Sequence, residues 1–249
     1  RDLLWNLALC ELDADNLSEV EQLAKELRAR QYPEPAVRFL EAKLLISKRQ
    51  WRQAATLIEQ LRAQLERSDE LLKQSDFLLA LCYQNMGNPD QELAALRRAL
   101  TIDPLWIPAR QALAAALQRS GRLQDSKSEL SKIASQPNPP ADAVLRLARL
   151  LLIEGLNNSS TGQVDWAPLR RLLASLDQVP AAATELTILR AELFVAEGKP
   201  DESEMLLQAQ IVADPKNLAL RQALLALQLR SEQWEKAEAS LEAAKASLP

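Results

Sequence analysis

The chain has 249 residues, 47% of them hydrophobic, enough to bury the core of one large domain, two ordinary ones or a repeat array. Net charge is −4, no long basic block occurs and no apolar run approaches the ~18 residues of a membrane span, which argues against nucleic acid as a partner and against membrane insertion. There is no histidine, and Cys10 and Cys82 are the only cysteines, so the usual histidine triads, the commonest zinc ligand sets and a disulfide framework are all excluded.

Leu and Ala supply most of the apolar content, aromatics are only 4%, and runs of Val, Ile and Thr are few. Good helix formers therefore dominate nearly every segment, and strands have little support. The spacing of breakers shows a repeat. Gly87, Gly121 and Gly155 are each 34 residues apart, and Gly198 follows Gly155 by 43. Asp103-Pro104 returns as Asp214-Pro215, 111 residues later. Both intervals fit a period of 34 only with the same nine extra residues between 155 and 198, so one insertion explains two unrelated markers.

The first unit covers residues 1–34 and carries Leu7, Ala8 and Leu17. Trp51 follows Leu17 by 34 and marks the second unit, 35–72. Trp51 to Pro89 is 38, which places four extra residues around Ser68 to Leu71. In the third unit, 73–106, Phe77, Leu78, Leu81 and Cys82 recur at helical spacing. Gly87-Asn88-Pro89 breaks that helix; Leu93, Leu96, Ala99 and Leu100 form a second stripe, which Asp103-Pro104 stops. The fourth unit, 107–140, opens with Pro108 in a first helical turn, where a missing N–H costs little. The fifth, 141–183, holds the polar stretch EGLNNSSTGQVDW; its extra residues, 156–164, are read as an enlarged turn, with Trp166 in phase with Trp51 and Trp234. The sixth and seventh units are 184–217 and 218–249. The domain reading is a single array over 1–249. The chain starts on Arg1 rather than methionine, which is read as a piece of a longer protein.

This 34-residue helix–turn–helix resembles the tetratricopeptide repeat family along essentially the whole chain. Leu79, Ala80, Tyr83, Gly87, Leu96, Ala99 and Pro104 match family positions 7, 8, 11, 15, 24, 27 and 32. Ala191, Phe194, Gly198, Ser203 and Pro215 do so in the sixth unit, and Leu224, Trp234, Ala237, Leu241 and Ala244 in the seventh. Glu92 departs from the pattern at the usually small position 20, and Glu41 stands at position 7, which suggests a one-residue offset in the second unit. The resemblance implies an all-α fold, a right-handed α-solenoid of stacked hairpins, with the first helix of each unit on the concave face.

Carried over residue by residue, that face takes Phe39, Leu40, Lys43, Phe77, Leu78, Leu81, Gln84 and Asn85 from units two and three. Gln111, Ala115, Gln118 and Arg119 come from unit four, Arg146 and Arg149 from unit five, and Glu185, Ile188 and Glu192 from unit six. Phe39 and Phe77 have two readings, groove surface or packing between repeats. Arg146 and Arg149 share a helix face and could clamp a carboxylate, or stay solvated or paired within the fold. The five tryptophans and both cysteines are read as packing residues. The lysine-containing carboxylate clamp of chaperone-tail binders is absent, because no lysine stands at position 5.

The expected function is a non-catalytic scaffold that binds a peptide or partner protein in the concave groove, with no cofactor and no metal. A recruiting segment of a larger enzyme with catalysis elsewhere, and self-association through the terminal repeats, are the alternatives. A cytoplasmic location is the default reading.

Overall fold

The computed structural model describes residues 2–65, 68–158 and 164–247; these form α-helices joined by turns, with no strand among them. The helices come in consecutive pairs. They are α1 (Asp2–Asp13) with α2 (Leu17–Ala29), α3 (Glu34–Ser47) with α4 (Trp51–Arg62), and α5 (Asp69–Asn85) with α6 (Pro89–Ile102). Next come α7 (Ile107–Arg119) with α8 (Leu123–Ala134), and α9 (Ala141–Asn158) with α10 (Ala167–Ala174). A short 3₁₀ turn at Pro180–Ala182 leads into α11 (Ala183–Ala196) with α12 (Pro200–Ala213), then α13 (Leu218–Arg230) with α14 (Trp234–Ser247). Prolines stand at the start of α3, α6, α7, α10 and α12, where the ring's fixed φ suits the first turn.

The turn inside a pair is set by backbone chirality. Gly87, Gly121 and Gly198 have φ of 72°, 72° and 78°, and each ends its helix in a left-handed cap. Around Gly87 its own N–H reaches Gln84 O at 3.2 Å, and the next N–H, of Asn88, reaches Tyr83 O at 2.9 Å. That paired pattern satisfies carbonyls the helix end would leave orphaned. Asp15, Arg49 and Glu232 adopt the same geometry at φ of 60°, 58° and 56°, although none is glycine. Their following amides close the same bonds, Asn16 to Glu11, Gln50 to Leu45 and Gln233 to Gln228. A β-carbon is disfavoured in this region, and least so for Asp. Arg49→Gly is therefore expected to stabilise the fold by about 0.5–1 kcal/mol, after the greater flexibility of unfolded glycine is subtracted. Urea denaturation checks it: the midpoint should rise with an unchanged slope.

Gly155 keeps the 34-residue phase for another reason. The helix does not turn there. α9 runs through Gly155 to Asn158, so part of the stretch read as an enlarged turn is helix. Residues 159–163 of that stretch lie outside the described residues. Gly155 is buried, and a β-carbon on it would run into the ring of Trp166, which is itself 9% exposed. The glycine lets the tryptophan close over α9.

Small side chains let the helices approach. Ala8, Ala42, Ala80, Ala114, Ala148 and Ala191 stand at equivalent points of the first helices and are all 0–3% exposed. The chain divides into two compact units between Glu129 and Leu130. In the first, Ile58, Leu79, Leu93, Leu96, Leu113 and Leu117 form one core cluster; Ala8, Val20, Leu23, Leu27, Val37 and Leu40 belong to another. In the second unit, Val144, Leu152, Trp166, Leu173, Leu186 and Leu189 pack together, and Leu207, Leu220, Leu224 and Leu227 form a further cluster. The buried stripe of α5 is Leu79, Ala80, Cys82 and Tyr83, while Phe77, Leu78 and Leu81 lie at its half-buried edge.

Two packing expectations fail. Cys10 is exposed on α1, on the face that also shows Leu3 and Leu7, whereas Cys82 is buried and its thiol is pushed up to about 11 by desolvation. Trp234 is 62% exposed at the start of α14, while Trp5, Trp51, Trp106 and Trp166 are half-buried or buried.

Candidate binding surface

In the first compact unit the candidate residues part company. Phe39 is 1% exposed and Leu40 0%, so neither offers surface to a partner. Phe39 clusters with Leu61 and Leu65, and Trp5, Leu71, Leu72 and Leu78 pack against them. The cause is the four extra residues at 68–71. They give α5 an additional N-terminal stretch, and its leucines cover Phe39. Phe77 is half-buried, with its ring 5.2 Å from that of Trp106 and tilted by 54°. Lys73 Nζ lies 5.2 Å from the Trp106 ring centroid and is held at 2.8 Å by both Asp103 and Glu70. Those bonds, Asp103 first, raise the Lys73 pKa. Lys43 on α3, Leu81 on α5, and Gln111, Ala115 and Gln118 on α7 are partly accessible. Gln84 and Asn85 are exposed, and Asn85 Nδ2 donates to Leu81 O at 2.8 Å.

Arg119 is exposed but committed. Its guanidinium holds Glu92, a carboxylate only 5% exposed, at 2.5 Å. Desolvation raises the Glu92 pKa, and Arg119 opposes that shift without cancelling it. The sign follows. A carboxyl raised above its unfolded value contributes least when ionised, at neutral pH, and that cost disappears as pH falls through the folded pKa. Glu92→Gln should therefore melt higher than the parent at pH 7, and the gap should close by about pH 4. Thermal melts across that range check it.

In the second unit Arg146 and Arg149 are both exposed on α9, and Arg149 reaches Glu185 of α11 at 3.0 Å. The same face of α9 continues through Ile153 and Leu156, which are 43% and 47% exposed. Beside it, Ile188, Glu192 and Val195 of α11 and Ala223, Ala226 and Arg230 of α13 line a notch of about 50 Å³, with Ser203 and Leu207 of α12 also at its wall. Small residues at 223 and 226 leave that space. Sequence reasoning named Glu192 and Ile188 but not the α13 side, although Ala223 and Ala226 stand at groove positions of the seventh unit. It also missed Ile153, which stands at a groove position of the fifth unit, and Leu156, which fell in the stretch read as an enlarged turn.

Among the described residues no helix is long and apolar enough to cross a membrane, and no group of three or more acidic or cysteine side chains is placed to hold a metal ion.

No family model and no curated protein matches the chain. Solved structures do. The chain is similar to the C-terminal part of a TPR repeat-containing protein from Cytophaga hutchinsonii, at a TM-score of 0.74 and 12% identity, covering 98% of this chain and 95% of that one. It is also similar to a tetratricopeptide repeat protein from Parabacteroides merdae, at a TM-score of 0.57 and 15% identity, covering 99% and 92%. The fold is that of tetratricopeptide repeat proteins, an all-α solenoid of helix–turn–helix units.

Proposed function

We propose that this chain, a tetratricopeptide-repeat fold, is a non-catalytic scaffold that binds a peptide or partner protein on the first-helix surface of its second compact unit. The observation that carries the reading is the notch between α11 and α13 beside the exposed Arg146–Leu156 face of α9. A short apolar side chain of a partner would fill the notch against Ile188 and Val195. Arg146 and Arg149, with Glu192 and Arg230 at the rim, would set register through polar contacts. An apolar anchor surrounded by orienting charges is the way helical and extended peptides are held in such grooves. Lys43, Phe77, Leu81, Gln84 and Gln111 offer a second, more apolar stretch in the first unit.

The test fills the notch. Ala226→Trp and Arg146→Glu are compared with the parent in affinity capture followed by mass spectrometry, with circular dichroism and melting as folding controls. Partners lost from both variants while the folding controls stay unchanged support the reading. Partners retained by both variants overturn it.

A further inference from the structure

Position 11 of the repeat is filled by Leu45, Tyr83, Leu117, Leu151 and Phe194 in units two to six, all apolar or aromatic; Leu45, Tyr83 and Leu117 pack in one core cluster and Leu151 in another. In the seventh unit it is Gln228, only 1% exposed. Its Nε2 donates to Glu204 Oε1 at 3.1 Å, which fixes the amide, since the flipped amide would set oxygen against carboxylate. Gln228 Oε1 is then left buried without a hydrogen-bond partner. An unmatched buried acceptor costs about 1–3 kcal/mol, so it is a feature to be explained.

Gln228 lies at the wall of a cleft of about 400 Å³ between α12 and α14. Asp201, Met205 and Gln208 line one side, and Lys236, Ala239 and Ser240 the other. Glu204 is 8% exposed, and its carboxylate is held by Gln208 at 3.2 Å, by Gln228 and by Lys236 at 2.8 Å. Two carboxylates against one ammonium leave the lining negative. Met205, 61% exposed, adds a flexible apolar wall.

We propose that this cleft is a second docking site that takes an arginine side chain of a partner, the guanidinium donating to Gln228 Oε1 and Asp201 while its stem lies along Met205. It opens between the second helices α12 and α14, and none of its lining residues lines the notch between α11 and α13. Planar donors on a long apolar stem match the acceptors and the thioether better than a compact ammonium does.

The chain has only two methionines, Met86 and Met205, so methyl-labelled methionine gives two NMR signals. Met86 packs against the core of the first unit and serves as the internal control. Titration of the full chain with N-acetyl-arginine methylamide should shift Met205 saturably and leave Met86 unmoved. Asp201→Asn and Gln228→Leu should each weaken binding about tenfold. Leucine is already the residue at this position in three other units, so the second variant keeps the packing. A non-saturating response overturns the site, as does affinity unchanged in both variants. An equal shift with the norleucine analogue, or a shift with inorganic phosphate alone, overturns the cation assignment.

Discussion

Phe39→Ala should lower the free energy of unfolding by about 3–5 kcal/mol, the range for truncating a fully buried phenylalanine. Phe39 is 1% exposed and sits among Leu61, Leu65, Leu71, Leu72 and Leu78 with Trp5 against them. Removing the ring leaves a void that leucines from α4, the turn after it and α5 would have to fill, and close-packed interiors relax only in part. Urea denaturation measures the effect, with the slope held constant to show that compactness is unchanged. The outcome separates the two readings of the residue. A groove residue would lose partner capture and keep its midpoint, whereas a core residue loses midpoint first. An unchanged midpoint would contradict the packing described here.

The same residue shows where sequence reading stops. The four extra residues between Trp51 and Pro89 were legible as a shift in phase. That they lengthen α5 and bring Leu71 and Leu72 onto Phe39 depends on where the second helix after its own begins. Periodicity fixes the order of elements well because it sums many weak signals along the chain. A groove residue's exposure depends on a single neighbour. The glycines make the point from the other side. Gly87 and Gly121 mark left-handed caps, but Asp15, Arg49 and Glu232 form the same cap without glycine. Gly155 keeps the phase while serving Trp166 instead. A marker can be in register for a different physical reason. The α11–α13 notch was half legible: its polar rim residue Glu192 is named by position, but the space comes from alanines whose absence of bulk carries no chemical signal. Gln228 was visible as an amide at an apolar position, yet its unpaired oxygen emerges only once Glu204 is placed beside it.

Asp76 gives the second large expected effect. It is a carboxylate in the interior of the first unit, 0% exposed. Arg98 Nε donates to its Oδ1 at 2.9 Å, and Arg62 Nη2 to its Oδ2 at 3.2 Å. The guanidinium side chains are 32% and 40% exposed, for Arg62 and Arg98 respectively, so the burial is one-sided. Each arginine can return to water at little cost, but the carboxylate cannot. Replacing either arginine alone with methionine leaves one charged partner and should cost only a fraction of the whole. Replacing both leaves a buried, uncompensated charge, and the loss should reach about 3–5 kcal/mol, more than the sum of the single effects. Adding Asp76→Leu to the double variant should recover most of that loss, because a buried ion cluster exchanged for apolar side chains of similar volume is close to neutral. Urea midpoints for the parent, both single variants, the double and the triple decide the matter. Additive single effects, or a triple variant no more stable than the double, would mean that the arginines act through packing of their stems and not by compensating Asp76.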